Sequence, residues 1–242
     1  MSDRDLQAQL VRRYTLAGKP YGRLWLCGQS HLERMLWRCV LQSGATAKRA
    51  LDLLLSGIAL ALLSPLFLLI GALIKLEDRG PVFFTQIRVG QFGREFRMFK
   101  FRSMCMDAEQ RLKDLLAKNQ HKQGVTFKLK NDPRITRVGR VLRKFSLDEL
   151  PQFYNVFKGD MSLVGPRPPV PREVALYSQA DRRRLAVKPG ITCIWQVSGR
   201  AEIDFQGQVQ LDVKYIESQR LATDLRILVK TVPAVISGKG AC

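Results

Sequence analysis

The sequence is poor in the residues that build zinc sites and disulfide frameworks. Its only histidines are His31 and His121, and its five cysteines (Cys27, Cys39, Cys105, Cys193 and Cys242) are scattered with no CxxC pair. Two histidines and dispersed thiols argue against zinc. An odd, unpaired cysteine set fits a reducing compartment better than a disulfide scaffold. A metal in this chain is expected to be a hard cation on carboxylate and phosphate oxygens. Acidic residues are also scarce: 21 Asp plus Glu stand against 40 Lys plus Arg, a formal charge of +19 over 242 residues. That balance calls for an anionic partner, whether nucleic acid, an anionic membrane surface or a phosphorylated substrate. There is no internal repeat or low-complexity tract. The length suits one sizeable domain with a real core.

The sequence does contain one long uncharged run, "LLLSGIALALLSPLFLLIGALI", from Leu53 to Ile74. A straight helix of that length reaches roughly 33 Å, about the thickness of a bilayer core. Ser64-Pro65 interrupts it near the middle. Proline removes a backbone donor and clashes with the preceding turn, so a kink or break is expected there. The Ser64 hydroxyl can bond back to a freed carbonyl. Both flanks are basic, with Lys48 and Arg49 before and Lys75 and Arg79 after, so charge bias gives no direction across a membrane. A re-entrant hairpin with both ends on the cytoplasmic side and a kinked span both remain open. The run reads poorly as a signal peptide, because about fifty residues precede it. Being apolar on all faces, it reads poorly as a soluble core helix too.

Residues 1–46 contain stretches of amphipathic helical character, "DLQAQLVRRY" and "HLERMLWRCVL", suited to a membrane surface. After the apolar run, "PVFFTQI" and "EFRMFKF" are strand-like and joined through Gly90 to Gly93, which predicts a hairpin. Alternation places Lys100 and Arg102 on one face, either a solvated face or a pair of cations aimed at phosphate. "DAEQRLKDLLAKNQ" (107–120) reads as a helix, Asp132 as a turn residue, and "LATDLRILVKTVPAVI" as a helix suited either to a headgroup region or to a core.

Within "KFSLDELPQFYNV", Ser146 and Glu149 fit a capping box, which predicts a helix starting at Ser146 with Asp148 and Glu149 in its first turn. Acids there complement the helix dipole. The same pair can divide a chemical task, because neighbouring helical side chains point about 100° apart. One carboxylate can attack phosphorus while the other holds a metal. Arg137, Arg140, Arg143 and Lys144 supply cations to spread the charge of a transferring phosphoryl group. Downstream, Gly165-Pro166-Arg167-Pro168-Pro169 is a stiff segment that presents Arg167 at a fixed angle.

Taken together, "KRALDLLLSGIALALLSPLFLLI", "GPVFFTQIRVGQFGREFRMFKFRSM", "DPRITRVGRVLRKFSLDELPQFYNVFKGDMSLVGPRP", "VKPGIT", "WQVSGR" and "LDVKYIE" resemble the monotopic phosphoglycosyl transferases, bacterial sugar transferases of the type that starts exopolysaccharide synthesis. The resemblance covers about residues 47–240, in the family's order. It implies an α/β fold: a re-entrant membrane helix at 47–79 (broken at Ser64 and Pro65), and a compact cytoplasmic α/β catalytic domain at 80–242 with surface amphipathic helices. Residues 1–46 would be an N-terminal amphipathic or linker segment. The implied reaction moves a hexose 1-phosphate from a UDP-sugar to undecaprenyl phosphate and releases UMP. By position, Asp148 is the nucleophile that carries the phosphosugar and Glu149 the Mg²⁺ ligand. Lys100, Arg102, Arg143 and Arg167 are implied phosphate ligands, and Arg200 and Asp212 also fall on family motifs. The implied location is the cytoplasmic face of the inner membrane. Its lipids are partners there, nucleic acid is not, and a homodimer is left open.

The chain departs from the pattern at Cys193, where the family often has Gly, and in "YIESQRLATDL", which lacks a common Trp. Longer members carry a polytopic region upstream, where this chain has about 46 unlike residues. The alternatives are a catalytically silent scaffold and a basic module binding lipid or nucleic acid.

Overall fold

The computed structural model describes residues 15, 18–108, 110–111, 132–199 and 203–237. Most of the predicted 107–120 helix, Arg200 and the end of the chain after residue 237 lie outside the described residues. The chain divides into two compact units, Met1–Lys48 and Arg49–Cys242, and the second holds both the hydrophobic core and the carboxylate pair.

Helix α1 (Pro20–Leu62) is followed by α2 (Ser64–Asp78). The stretches Gly44–Leu62 and Ser64–Asp78 meet at a bend of 58°. The cause is local. Pro65 has no N–H to offer the carbonyl four residues back, which is that of Ala61. The Ser64 hydroxyl donates to that carbonyl at 2.8 Å and takes the missing donor's place. The sequence-based expectation of a break relieved by Ser64 therefore holds. Among the described residues no single helix is long and apolar enough to cross a membrane, though the bent pair together has the length and composition to do so. In α2, Ile70 and Ile74 face the core while Leu68, Leu69, Leu73 and Leu76 point outward, Leu76 being 82% exposed.

Strands β1 (Phe83–Val89) and β2 (Glu95–Phe101) form the expected antiparallel hairpin, with Phe83 opposite Phe101 and Val89 opposite Glu95. Gly93 closes the turn at φ +81°. Helix α3 (Arg137–Lys144) leads into a single 3-10 turn, Leu147–Glu149, and then α4 (Gln152–Lys158). Gly159, at φ +102°, ends α4. Strand β3 (Ser162–Val164) runs parallel to β4 (Gly190–Thr192). The short helices α5 (Pro171–Ala175) and α6 (Ile194–Ser198), with α7 (Phe205–Glu217) and α8 (Leu221–Ser237), complete the fold. The result is a mixed α/β architecture, helix-rich, with two small sheets among the described residues.

Met98, Val156, Met161, Leu163, Val164, Tyr215 and Ile227 pack as one core, and Ile70, Ile74, Phe101 and Leu142 as another between α2, β2 and α3. Polar side chains fix how these elements meet. Arg49 caps the end of α4 by donating to Val156 O and Phe157 O at 2.7 and 2.8 Å. Asp52 accepts from the Ser162 hydroxyl and the Leu163 N–H at the start of β3. Asn155 accepts from Phe99 N–H at 3.0 Å and donates to Arg97 O at 2.7 Å on β2. Asp132 is the turn residue expected, and its carboxylate also holds the Arg134 guanidinium. In α8, Leu221, Leu225, Val229 and Val232 are exposed while Asp224 and Ile227 are buried, an amphipathic surface helix with an apolar outer stripe.

Candidate active site

The carboxylate pair sits on the turn between α3 and α4. Thr136 caps α3 by accepting from Gly139 N–H, and Glu77 at the end of α2 accepts from Arg137 N–H at 2.7 Å. The predicted capping box at Ser146 does not form. Ser146 adopts left-handed backbone geometry (φ 54°, ψ 23°) and makes no side-chain cap. Glu149 is paired instead with Lys100, whose Nζ donates to its Oε1 at 2.6 Å. The chain therefore turns sharply out of α3, and the pair lies in a 3-10 turn, where successive side chains diverge by about 120°. The two carboxylates face different surroundings.

Asp148 is 7% exposed and, among the described residues, makes no ion pair. Burial pushes its carboxyl up to about 6. Lys100 and Arg143 pull against that shift, and the neighbouring Glu149 adds to it. Burial also works against ionisation of Glu149. The Lys100 ammonium outweighs it, assisted by Arg167 and Arg88, so Glu149 is held below the usual carboxylate range. Two adjacent acids are thus driven apart: one strongly ionised and cation-bound, the other buried and more basic. Such a split is how active sites assign separate roles to like groups.

The structure brings Lys100, Arg143 and Arg167 to this pair. Arg143 closes α3, where its Nε donates to Ser103 Oγ at 3.1 Å. Arg167 lies on its proline-rich segment within electrostatic reach of Glu149. Arg102 does not share Lys100's target. Arg102 N–H continues the hairpin ladder by donating to Val82 O at 2.9 Å, but the Arg102 side chain pairs with Asp78 at the end of α2. Its Nε and Nη1 are buried without partners among the described residues. Asp212 forms its ion pair with Arg184. It is 1% exposed, and its Oδ2 accepts from Arg184 Nε at 2.8 Å. Arg184 also donates to the Tyr177 hydroxyl and lies over the Tyr177 and Phe205 rings. Burial lifts the Asp212 carboxyl to about 6 despite Arg184. Cys193 is buried near this network, its thiol raised by burial and then by Asp212.

Sequence reasoning missed Arg88. Directly opposed residues of an antiparallel pair share a face, as do alternate residues along a strand. Phe84 opposes Lys100, so Gln86 and Arg88 lie on the Lys100 face. The predicted hairpin already contained that signal. Glu77, Asp78 and Arg184 carried none, because their partners lie 24 to 61 residues away. Among the described residues no three side chains cluster as a ready-made metal cage.

The family model of bacterial sugar transferases matches residues 43–238. The chain belongs to that family, the phosphoglycosyl transferases that its motifs resemble. It is 55% identical over 166 residues to the galactosyl transferase CpsE of Streptococcus agalactiae, covering 68% of this chain and 37% of that one. It is 45% identical over 201 residues to the exopolysaccharide production protein ExoY of Rhizobium meliloti, covering 82% of this chain and 89% of that one. It is 44% identical over 203 residues to the undecaprenyl-phosphate galactose phosphotransferase of Salmonella typhimurium, covering 83% of this chain and 42% of that one. The chain thus spans less than half the length of two of these relatives and nearly all of the third.

Proposed function

We propose that this chain transfers a hexose 1-phosphate from a UDP-sugar to undecaprenyl phosphate through a covalent intermediate on Asp148, as the first membrane step of exopolysaccharide synthesis. The observation that carries the reading is the divided carboxylate pair under a set of cations. A carboxyl near 6 is ionised around neutral pH yet more basic than an exposed Asp, which makes it the better nucleophile of the two. An Asp148 oxygen attacks the phosphorus that bears the sugar. A P–O bond forms, the P–O bond to uridylate breaks, and UMP leaves with the electron pair. A phosphate oxygen of the lipid then attacks the same phosphorus. The Asp148–phosphorus bond breaks, the carboxylate is restored, and the sugar diphospholipid departs. Lys100, Arg143 and Arg167 stabilise the charge that spreads over the phosphoryl oxygens in both steps.

The donor set suits Mg²⁺. Glu149 offers an ionised hard oxygen, and Mg²⁺ usually takes one or two protein carboxylates and completes its shell with substrate phosphates and water. Held by Glu149, the ion would neutralise the donor diphosphate. The bent α1–α2 pair, the outward leucines of α2, the apolar stripe of α8 and the +19 charge support a monotopic placement on the cytoplasmic face of the inner membrane.

The test is UMP release from a panel of UDP-sugars with undecaprenyl phosphate and Mg²⁺, comparing wild type with Asp148→Asn and Glu149→Gln. Galactose leads the panel because the Streptococcus agalactiae and Salmonella typhimurium relatives both carry it in their names. The expected result is release by wild type with one or two sugars, none from Asp148→Asn, and a weakened Mg²⁺ response in Glu149→Gln. Full activity in Asp148→Asn refutes the covalent mechanism. Silence from folded wild type with every sugar favours a scaffold.

A further inference from the structure

The hairpin face that carries Lys100 also carries Arg88, a buried cation with no part in the steps above. Arg88 is 7% exposed. Its Nη1 donates to Pro168 O at 2.8 Å and its Nη2 to Gln86 Oε1 at 2.6 Å. The adjoining Val89 N–H donates to Pro169 O at 2.9 Å. On the other side of Arg167, Gly190 N–H donates to Pro166 O at 2.9 Å and Gly165 N–H to Thr192 O at 3.0 Å. The segment is therefore gripped before Arg167 by the β4 end and after it by the hairpin. Prolines have no N–H, so a segment with prolines at 166, 168 and 169 can be held mainly by its carbonyls.

Burial of this guanidinium is costly, and the Glu173 and Glu149 carboxylates offset only part of that cost. Arg88 also lies in the field of a like charge, Arg167. Both arginines act on one carboxylate, since Arg167 and Arg88 each help to keep Glu149 ionised. We propose that Arg88 is the positioning residue for Arg167: it holds Pro168 directly, works with the Val89 N–H on Pro169, and so fixes where the Arg167 guanidinium meets the donor phosphates. The grip itself stands on geometry alone, whereas its service to phosphate binding rests on the transferase reading.

Two measurements on the full chain in lipid nanodiscs test this. The first is site-resolved hydrogen exchange in Arg88→Lys, which keeps the charge but loses the fork. The Val89 amide, bonded to Pro169, is expected to exchange at least about tenfold faster, while the Gly190 amide, bonded to Pro166, keeps its wild-type rate. Gln86→Ala, which frees one arm of Arg88 without touching the buried carbonyls, is expected to give a smaller shift of the same sign should Arg88→Lys fail to fold. An unchanged Val89 amide overturns the grip. The second is calorimetric binding of UDP with Mg²⁺. Arg88→Lys and Arg167→Ala are each expected to weaken it by about tenfold, with the double variant no weaker than Arg167→Ala alone. Losses that multiply overturn the proposal, because Arg88 then acts independently of Arg167. Wild type that binds no UDP while the Val89 amide still responds removes the transferase reading and leaves the grip standing.

Discussion

Replacing Asp148 with Asn is expected to make the protein more stable at pH 8 and to leave its stability at pH 4 nearly unchanged. The ordinary value of the carboxyl is 3.8, and in the folded protein it is raised to about 6. The folded state therefore binds this proton more tightly than the unfolded chain does. Its stabilising contribution is complete below the ordinary value and is lost as pH rises through about 6. A gap of about two units corresponds to at most about 3 kcal/mol, at about 1.4 kcal/mol per unit. Asn is neutral throughout and removes that loss. For a chain of this size the gain amounts to at most roughly 6–12 °C in Tm at pH 8, becoming small near pH 4. Glu149→Gln is the internal control, since its carboxyl is held below the usual range by Lys100. Its contribution is present at neutral pH and lost as pH falls, so removing it destabilises at pH 8. Adjacent acids should thus give melting shifts of opposite sign. The assay is a thermal melt of each variant from pH 4 to 8. An Asp148→Asn protein that melts at or below wild type at pH 8 refutes the claim that burial dominates this site.

Three further expectations follow. In Lys100→Met the acid limb of the rate profile should move up from near 6 by about one unit, so activity loss is greater at pH 6 than at pH 8. A limb that stays in place means Lys100 does not tune Asp148. A Cβ on Gly190 would lie 2.1 Å from Gly165 N, and neither backbone can yield. Gly190→Ala should therefore lower unfolding stability by about 2–3 kcal/mol in a denaturant titration, and a neutral result contradicts the close approach. Cysteine labels near residues 45 and 78 should react from the same side of the membrane if the bent helices re-enter. Replacing Pro65 with Leu should favour labelling from opposite sides.

The parts of the molecule that were legible in the sequence are those decided locally. The Ser64-Pro65 break and the hairpin across Gly90–Gly93 follow from single residues whose backbone chemistry leaves few choices. The site was legible as a set of residue types near one another, but not as a wiring. The capping box at Ser146 is a correct local pattern that lost to a distant partner, because Lys100 lies 49 positions away and offers Glu149 a full charge. Alternation assigned Lys100 and Arg102 to one face, but it could not say which carboxylate each would meet, Glu149 for one and Asp78 for the other. Asp212 shows the same limit from the other side: a family position says that a carboxylate stands there, while only the packing shows it committed to Arg184.

Asn155 has a consequence beyond joining α4 to β2. Its amide accepts from Phe99 N–H and donates to Arg97 O, the pair of bonds that a neighbouring strand would make at that edge. One side chain thus stands in for a rung of a third strand. The outer edge of β2 is closed at that point to any other chain seeking to pair with it, an edge protection achieved without charge or proline. Replacing Asn155 with Leu would keep much of the volume and reopen the rung, exposing two backbone groups to whatever strand arrives first.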